Sequence, residues 1–518
     1  MNNCDMENIG ICRRLVKAAA AVPALFALWC HPAAGQRYER TVERNLWNAT
    51  SNVCGIRSDS VSVSQAQIYG RCEDGGFHDL SDARRLWKAG AFAETMSHFR
   101  RVSMTGRFSF DHEEAYETCG SMLSTRGVYP VDIYEFTPGR KTRQTYRVDG
   151  GVAAELNSWL TVGGKVEYLS SNRAKRKDLR YTDYLMDLRV SPSLLFRLGD
   201  GISAGIAYGY RCVAENINAE ALGVSSDSYY AFFDKGMMYG SYDVWTGGSS
   251  HLKEAGVSGF PLRRNIHSLS LQFSAGGFIA ELEGMLGSGK AGEKDVRWYS
   301  FGNRGFSFLS GWSGGAHRAT LEISADHVTN SEDIIDRVTE NGVTTTVNYG
   351  SRGIYGKTSW NVSPEYRYLH GPLEIRTGAS FDFSEEASHI AYPYVAEVSE
   401  FFASAHVSGM YSIRGFDLGL GLEYGGGGWK DRLDNTGTSV SVSAAPVRLD
   451  GLGVQGQWYA AAMEYRTVSR LGVCASLRYN FRFGLFLGAS GSLVRGFSTK
   501  SLIGRHRATA SLNVGYLF

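Results

Sequence analysis

The last twelve residues, Arg507-Ala-Thr-Ala-Ser-Leu-Asn-Val-Gly-Tyr-Leu-Phe518, alternate in polarity with a period of two. Phe518, Tyr516, Val514, Leu512 and Ala510 fall on one face; Leu517, Gly515, Asn513, Ser511 and Thr509 fall on the other. A two-residue period puts successive side chains on opposite sides of a β-strand. The same alternation recurs at 146–156, 160–168, 186–196, 202–210, 269–273, 278–286, 319–325, 373–383, 416–424, 459–465, 473–483 and 485–493. One such window arises readily by chance, but a dozen along one chain constitute a fold signal.

The connections sort into two kinds. Short turns, such as Asn157-Ser158, Gly199-Asp-Gly201, Gly276-Gly277, His370-Gly-Pro372 and Ile413-Arg-Gly415, alternate with long polar segments, including 172–183, 214–263, 329–353 and 429–437. Short turns at one rim and long loops at the other describe a transmembrane barrel. The less apolar face of the strands carries many ionised side chains, which a dry sandwich core would not hold. That face therefore meets water and the apolar face meets lipid. The expected fold is all-β, an antiparallel up-and-down transmembrane β-barrel of about 18 strands, within a range of roughly 14–20.

The amino-terminus reads as an export signal. Arg13, Arg14 and Lys17 precede or interrupt an apolar run from Leu15 to Trp29, and Ala33-Ala-Gly35 supplies small residues before Gln36. This is the pattern of a secretory signal peptide. The expected organisation is a signal peptide over 1–35, a periplasmic lead-in over 36–58 and the barrel over 59–518. Later in the chain no apolar run approaches the ~18 residues that a membrane-spanning helix needs. The 54 basic and 52 acidic residues nearly cancel, which argues against a nucleic-acid partner. Glycine, at 62 residues, is well above the ~7% average, as suits a curved sheet. Cys54, Cys72, Cys119, Cys212 and Cys474 follow no metal-binding spacing, and no cofactor is expected.

The blocks Ala93-Glu-Thr-Met96, Gly106-Arg-Phe-Ser-Phe110 and Leu156-Asn-Ser-Trp-Leu-Thr-Val-Gly-Gly-Lys-Val-Glu-Tyr168 resemble an uncharacterised family of Gram-negative outer-membrane β-barrel proteins. The terminal strand likewise resembles the closing strand of outer-membrane barrels, in which the final aromatic is read by the barrel-assembly machinery. That likeness implies the outer membrane as location. It marks Phe518 and Tyr516 as the assembly signal, and it implies outer-membrane lipid as a partner. It transfers no catalytic residue. No Gly-x-Ser-x-Gly, His-Glu-x-x-His or phosphate-loop motif is present, so an enzyme is not expected. The basic stretch Asn172-Arg-Ala-Lys-Arg-Lys-Asp178 is a candidate clamp for lipopolysaccharide phosphates, with a solvated loop tip as the plainer reading.

By strand parity the lumen receives both signs of charge. Arg466, Arg478 and Arg482 are expected on neighbouring strands near the terminus, with Glu281, Glu283, Glu322 and Asp326 roughly across from them. Two readings stand: a porin-like channel for small hydrophilic solutes, with opposed charges creating a transverse field, or a non-conducting surface or assembly protein whose long loops bind a partner. Crowded like charges favour an open lumen. Sequence leaves the solute, the partner and the oligomeric state open.

Overall fold

The computed structural model describes residues 38–224, 228–246, 259–292, 296–389, 395–433, 447–448 and 457–518. The expected signal peptide lies outside them. Strands β1 (Val63–Asp74), β2 (Arg85–His98), β3 (Val102–Ser121), β4 (Asp132–Glu155), β5 (Leu160–Lys175), β6 (Arg180–Gly199) and β7 (Ile202–Glu220) form consecutive antiparallel pairs. A short hairpin, β8 (Ser228–Asp234) and β9 (Tyr239–Thr246), follows. The wall resumes with β10 (Phe260–Ala275), which pairs directly with β7. It continues through β11 (Phe278–Gly292), β12 (Arg297–Gly314), β13 (His317–Glu340), β14 (Val343–His370), β15 (Leu373–Ser388), β16 (Ala396–Ile413) and β17 (Phe416–Leu433). After the short β18 (Val447–Arg448), the last staves are β19 (Arg470–Asn480), β20 (Leu485–Gly496) and β21 (His506–Leu517).

β21 pairs with β1 over ten residue pairs, from Gln65↔Leu517 to Asp74↔Ala508, and this closes the wall. With β8, β9 and β18 outside the ring, the barrel has 18 antiparallel strands. The terminal residue takes part: Phe518 donates its N–H to Ser64 O at 2.9 Å and accepts from Ser64 N at 2.9 Å. A closed sheet leaves no edge with unpaired amides, the condition for crossing a bilayer with strands.

The outward face is apolar and uncovered. Ile68, Val166, Leu269, Leu282, Phe306 and Leu420 are all exposed, Leu420 to 70%. Around the short-turn rim aromatic rings meet one another: Phe416 and Tyr479 at 4.6 Å, Tyr479 and Phe481 at 4.6 Å, Tyr516 and Phe518 at 5.9 Å. Such a girdle sits at the lipid–water boundary. The tight turns there need left-handed backbone. Gly276 and Gly277, with φ of 56° and 85°, join β10 to β11 as a two-residue hairpin loop.

Three sequence assignments are corrected. Segment 329–353 is not an irregular loop. β13 and β14 continue through it as a hairpin that turns only at Asn341-Gly342. At ~3.3 Å per residue, 24- and 28-residue strands reach far beyond a ~30 Å hydrocarbon core. Segment 214–263 folds its β8–β9 hairpin against β4. Residues 459–465 are not a strand but part of helix α2 (Gln457–Thr467), the first helix, α1, being Tyr38–Glu43. Trp458, Tyr459, Ala462 and Met463 lie one helical face apart, and all four are buried. The alanine run also satisfies a two-residue period, which is why the alternation misled.

Candidate functional site: the barrel interior

Residues 38–58 do not hang below the barrel as a lead-in. They run around the inside of the wall at the short-turn end and form a floor. Tyr38 packs with Val63 and Met96. Arg40 then pairs with Glu374 of β15 at 2.8 Å, and Glu43 accepts from Arg367 of β14 at 2.6 Å and Arg376 of β15 at 2.7 Å. Further on, Ser51 donates its N–H and hydroxyl to Glu281 of β11 at 3.0 and 2.8 Å. Asn52 donates to Leu194 O and to Gln272 Oε1 at 2.9 and 3.0 Å. Cys54 is wholly buried beside Ser193, where burial pushes its thiol pKa up. Arg57 ends the traverse in an ion pair with Glu155 at 3.0 Å.

The sequence builds this floor locally. Asn45 and Asn52 each cap a short 3-10 helix (Leu46–Ala49 and Val53–Ser58), their side chains accepting from Trp47 N and Cys54 N at 3.0 Å. Between the polar ties, Trp47, Cys54, Leu195 and Ile279 pack together. Gly151 and Gly163 on the inward wall make room: a Cβ on either would come within 2.7–2.8 Å of Val53.

The opposite end is covered by an apolar cap. Segment 122–131 turns inward between β3 and β4, and helix α2 enters from the β17–β19 connection. With the β8–β9 hairpin they bury Met122, Leu123, Tyr134, Phe232, Trp245 and Met463 in one continuous cluster. Trp458 stands edge-on to Tyr134 and Phe136, at 6.0 and 5.7 Å. Polar ties hold the cap down. Arg126 grips Asp79 through two hydrogen bonds at 2.6 and 2.8 Å. Although burial acts to raise it, those bonds and the guanidinium charge hold the Asp79 carboxyl below the usual aspartate range. Ser124 N donates to both Asp183 and Glu215.

The charges expected to face each other across the lumen are mostly engaged locally. Glu281 serves the floor, and Glu283 pairs with Arg189 of β6 at 3.1 Å. Asp326 accepts from Asn303, whereas Glu322 is exposed within the lumen. Arg478 does lie on the inner wall of β19, bonded to Asn480 at 2.8 Å with its guanidinium 3.6 Å above the Phe486 ring. Arg466 is on α2, not on a stave, and pairs with Glu400 at 3.0 Å and Glu386 at 3.6 Å. Arg482 sits in the exposed turn between β19 and β20. The three arginines therefore form no single wall, and the expected pair of opposed charged walls is not formed. The basic stretch 172–178 also divides: Arg173 donates to Leu123 O at 2.6 Å and Lys175, fully buried, binds Glu135, while Lys177 stays at the surface.

Between floor and cap the interior is not solid. Along β15–β17, β19–β21 and the adjoining β1 a cavity of ≈ 380 Å³ is bordered by Arg71, Arg376, Ser408, Ser476, Ser490 and Thr509. Hydroxyls and small side chains line it, and Cys474 and Ser476 are exposed to it. The arrangement can hold water and polar solute. Neither the floor nor the cap was legible in the periodicity, because both are built from irregular backbone and short helices.

The fold and its uncovered apolar face define a closed transmembrane β-barrel of 18 strands whose interior is occupied at both ends. The chain belongs to a family of unknown function, DUF6850, whose model matches residues 54–518. Among solved structures it is similar to the FrpB iron transporter (F3-3 variant) of Neisseria meningitidis, at 11% identity and a TM-score of 0.42 over 92% of this chain and 83% of that one. It is also similar to the outer-membrane transporter YddB of Escherichia coli (9%, TM-score 0.43, 89% and 81%). A further likeness is to OmpT of Vibrio cholerae (11%, TM-score 0.33, 89% and 99%). No curated protein matches the chain.

Proposed function

We propose that the barrel resides in the outer membrane of a Gram-negative cell and passes small hydrophilic solutes when its outer cap opens. The observation that supports this most is the hydroxyl-lined cavity along β15–β17, β19–β21 and β1. A barrel built only as a scaffold gains by filling its lumen with packed apolar side chains, each worth ~1.5–3 kcal/mol on burial. Here such filling is confined to the cap and the floor, while the wall between them keeps serines, a threonine and paired charges. Hydrogen-bonding groups on a wet wall replace part of a solute's hydration shell as it passes. Outer-membrane lipid and lipopolysaccharide would contact the apolar belt and its margins, and the barrel-assembly machinery would read Tyr516 and Phe518.

The runner-up is a non-conducting surface protein, favoured by the long β13–β14 hairpin. Ile334, Val343 and Tyr349 near its tip are 53–65% exposed, as a partner-binding surface would be. Liposome swelling separates the two. Vesicles carrying the purified barrel should swell in small sugars once α2 is destabilised by Trp458→Gly. Vesicles that never swell, with the variant barrel folded, would leave the surface-protein reading.

A further inference from the structure

The pairing of β4 with β8 sets Asp132 directly opposite Asp234. Opposed residues on an antiparallel pair share a face with Cβ atoms ~4.5–5.5 Å apart. Both aspartates border a second cavity, of ≈ 320 Å³, beneath the cap. Asp132 is only 7% exposed; its Oδ1 accepts from Ser121 Oγ at 2.9 Å and Ile133 N at 2.7 Å, while its Oδ2 has no hydrogen-bond partner. Asp234 accepts from Gly236 N at 3.0 Å.

Among the described residues neither aspartate has a basic ion-pair partner. The bases on the cavity wall are committed elsewhere: Arg126 to Asp79, Arg466 to Glu400 and Glu386, and Lys357 to Glu386 at 2.7 Å. Beside the paired Glu386 and Glu400 and several aliphatic side chains, the wall carries Tyr129, Tyr134, Met237, Met238, Tyr459 and Met463. Tyr129 is an independent sign of a binding site. It is 4% exposed, borders the cavity, and its hydroxyl has no hydrogen-bond partner. Burying such a hydroxyl unpaired costs on the order of 1–3 kcal/mol.

Two facing carboxylates without an ion-pair partner, in a cavity bordered by tyrosines and methionines, match a cation that carries an apolar body. A metal ion fits less well, because no group of three or more His, Cys, Asp or Glu among the described residues is placed to hold one. We propose that this cavity binds a small organic amine, its ammonium between Asp132 and Asp234 and its apolar part against the tyrosines and methionines. The site is independent of whether the barrel conducts. Burial, and next the charge of Asp132, push the Asp234 carboxyl up to about 8. The pair thus holds a proton near neutrality, which an incoming ammonium displaces. The other titratable groups facing it are Glu386, Glu400, Arg126, Lys357 and Arg466.

The test is calorimetry on the full detergent-purified chain with benzylamine, its neutral isostere benzyl alcohol, and calcium chloride. Benzylamine should bind at least tenfold more tightly than benzyl alcohol, and more tightly at about pH 8.5 than at about pH 6. The double variant Asp132→Asn/Asp234→Asn should lose at least tenfold in benzylamine affinity. Equal binding of the two isosteres by the unmodified protein overturns the proposal, and that comparison needs no variant to fold. So does an unchanged affinity in a folded double variant, an absence of benzylamine binding at millimolar concentration, or calcium that binds more tightly than benzylamine and displaces it.

Discussion

Ser51 gives both its backbone N–H and its hydroxyl to the Glu281 carboxylate, 230 residues away in sequence. Gln272 adds a third donor at 2.6 Å. This node ties the floor to the wall at β10 and β11, and it assigns Glu281 a structural task in place of a free lumen charge. Hydrogen bonds to a charged group contribute ~1.5–3 kcal/mol each when buried. Glu281→Ala should therefore release the floor, and trypsin should cleave at Arg40, Arg44 or Arg57 faster than in the parent. Glu322→Ala, at an exposed lumen site, should leave the cleavage rate unchanged.

The lipid-facing assignment makes a second prediction. Leu188→Arg, Ile206→Arg or Leu420→Arg places a charge on the outward face, at ~2–4 kcal/mol each near mid-bilayer. Membrane fractionation should show loss of inserted protein for these three. Ser476→Arg, on the inward face of β19, should insert normally. Equal behaviour of the two groups would invert the assigned faces.

Closure of the ring makes a third. Phe518 exchanges two hydrogen bonds with Ser64, and its ring meets Tyr516 at the rim. Deleting Phe518 should leave little heat-modifiable barrel in the membrane fraction. Normal amounts of it would show that closure does not depend on that residue.

The cap has an acid-sensitive tie. Asp79 keeps its charge beside Arg126, so its carboxyl titrates below an unfolded aspartate at ~3.9. A lowered folded-state value means the stabilisation is complete above that pH and is lost as the pH falls below it. Arg126→Ala should increase hydrogen exchange in 122–134 at pH 7, and the difference from the parent should shrink as the pH falls below about 4. A difference that persists undiminished in acid would mean Arg126 acts through packing alone.

The wall was legible because its code is local: period-two alternation, Gly276-Gly277 and Arg414-Gly415 turns, and an aromatic end each speak through neighbouring residues. A count of about 18 strands, within roughly 14–20, followed from these windows, although 459–465 among them is helical. The interior was not legible, because what fills it comes from segments with no period. Asn45 and Asn52 announce caps, but nothing near them says that those short helices lie inside a barrel. In α2, Ala460-Ala-Ala462 suits a helix and a strand face equally, so Arg466 was misplaced with it. On β11 the partners of the expected lumen charges, Ser51 for Glu281 and Arg189 for Glu283, depend on contacts 94 to 230 residues apart.

On the proposed function, the 18-stranded wall encloses a polar path shut by a floor and a cap. Single-channel recording in planar bilayers tests it most directly, comparing the parent with a chain lacking residues 38–58 and carrying Trp458→Gly. The parent should be quiet with rare openings, and the variant should show sustained conductance while its barrel remains heat-modifiable. A variant that is folded, inserted and still silent would contradict it.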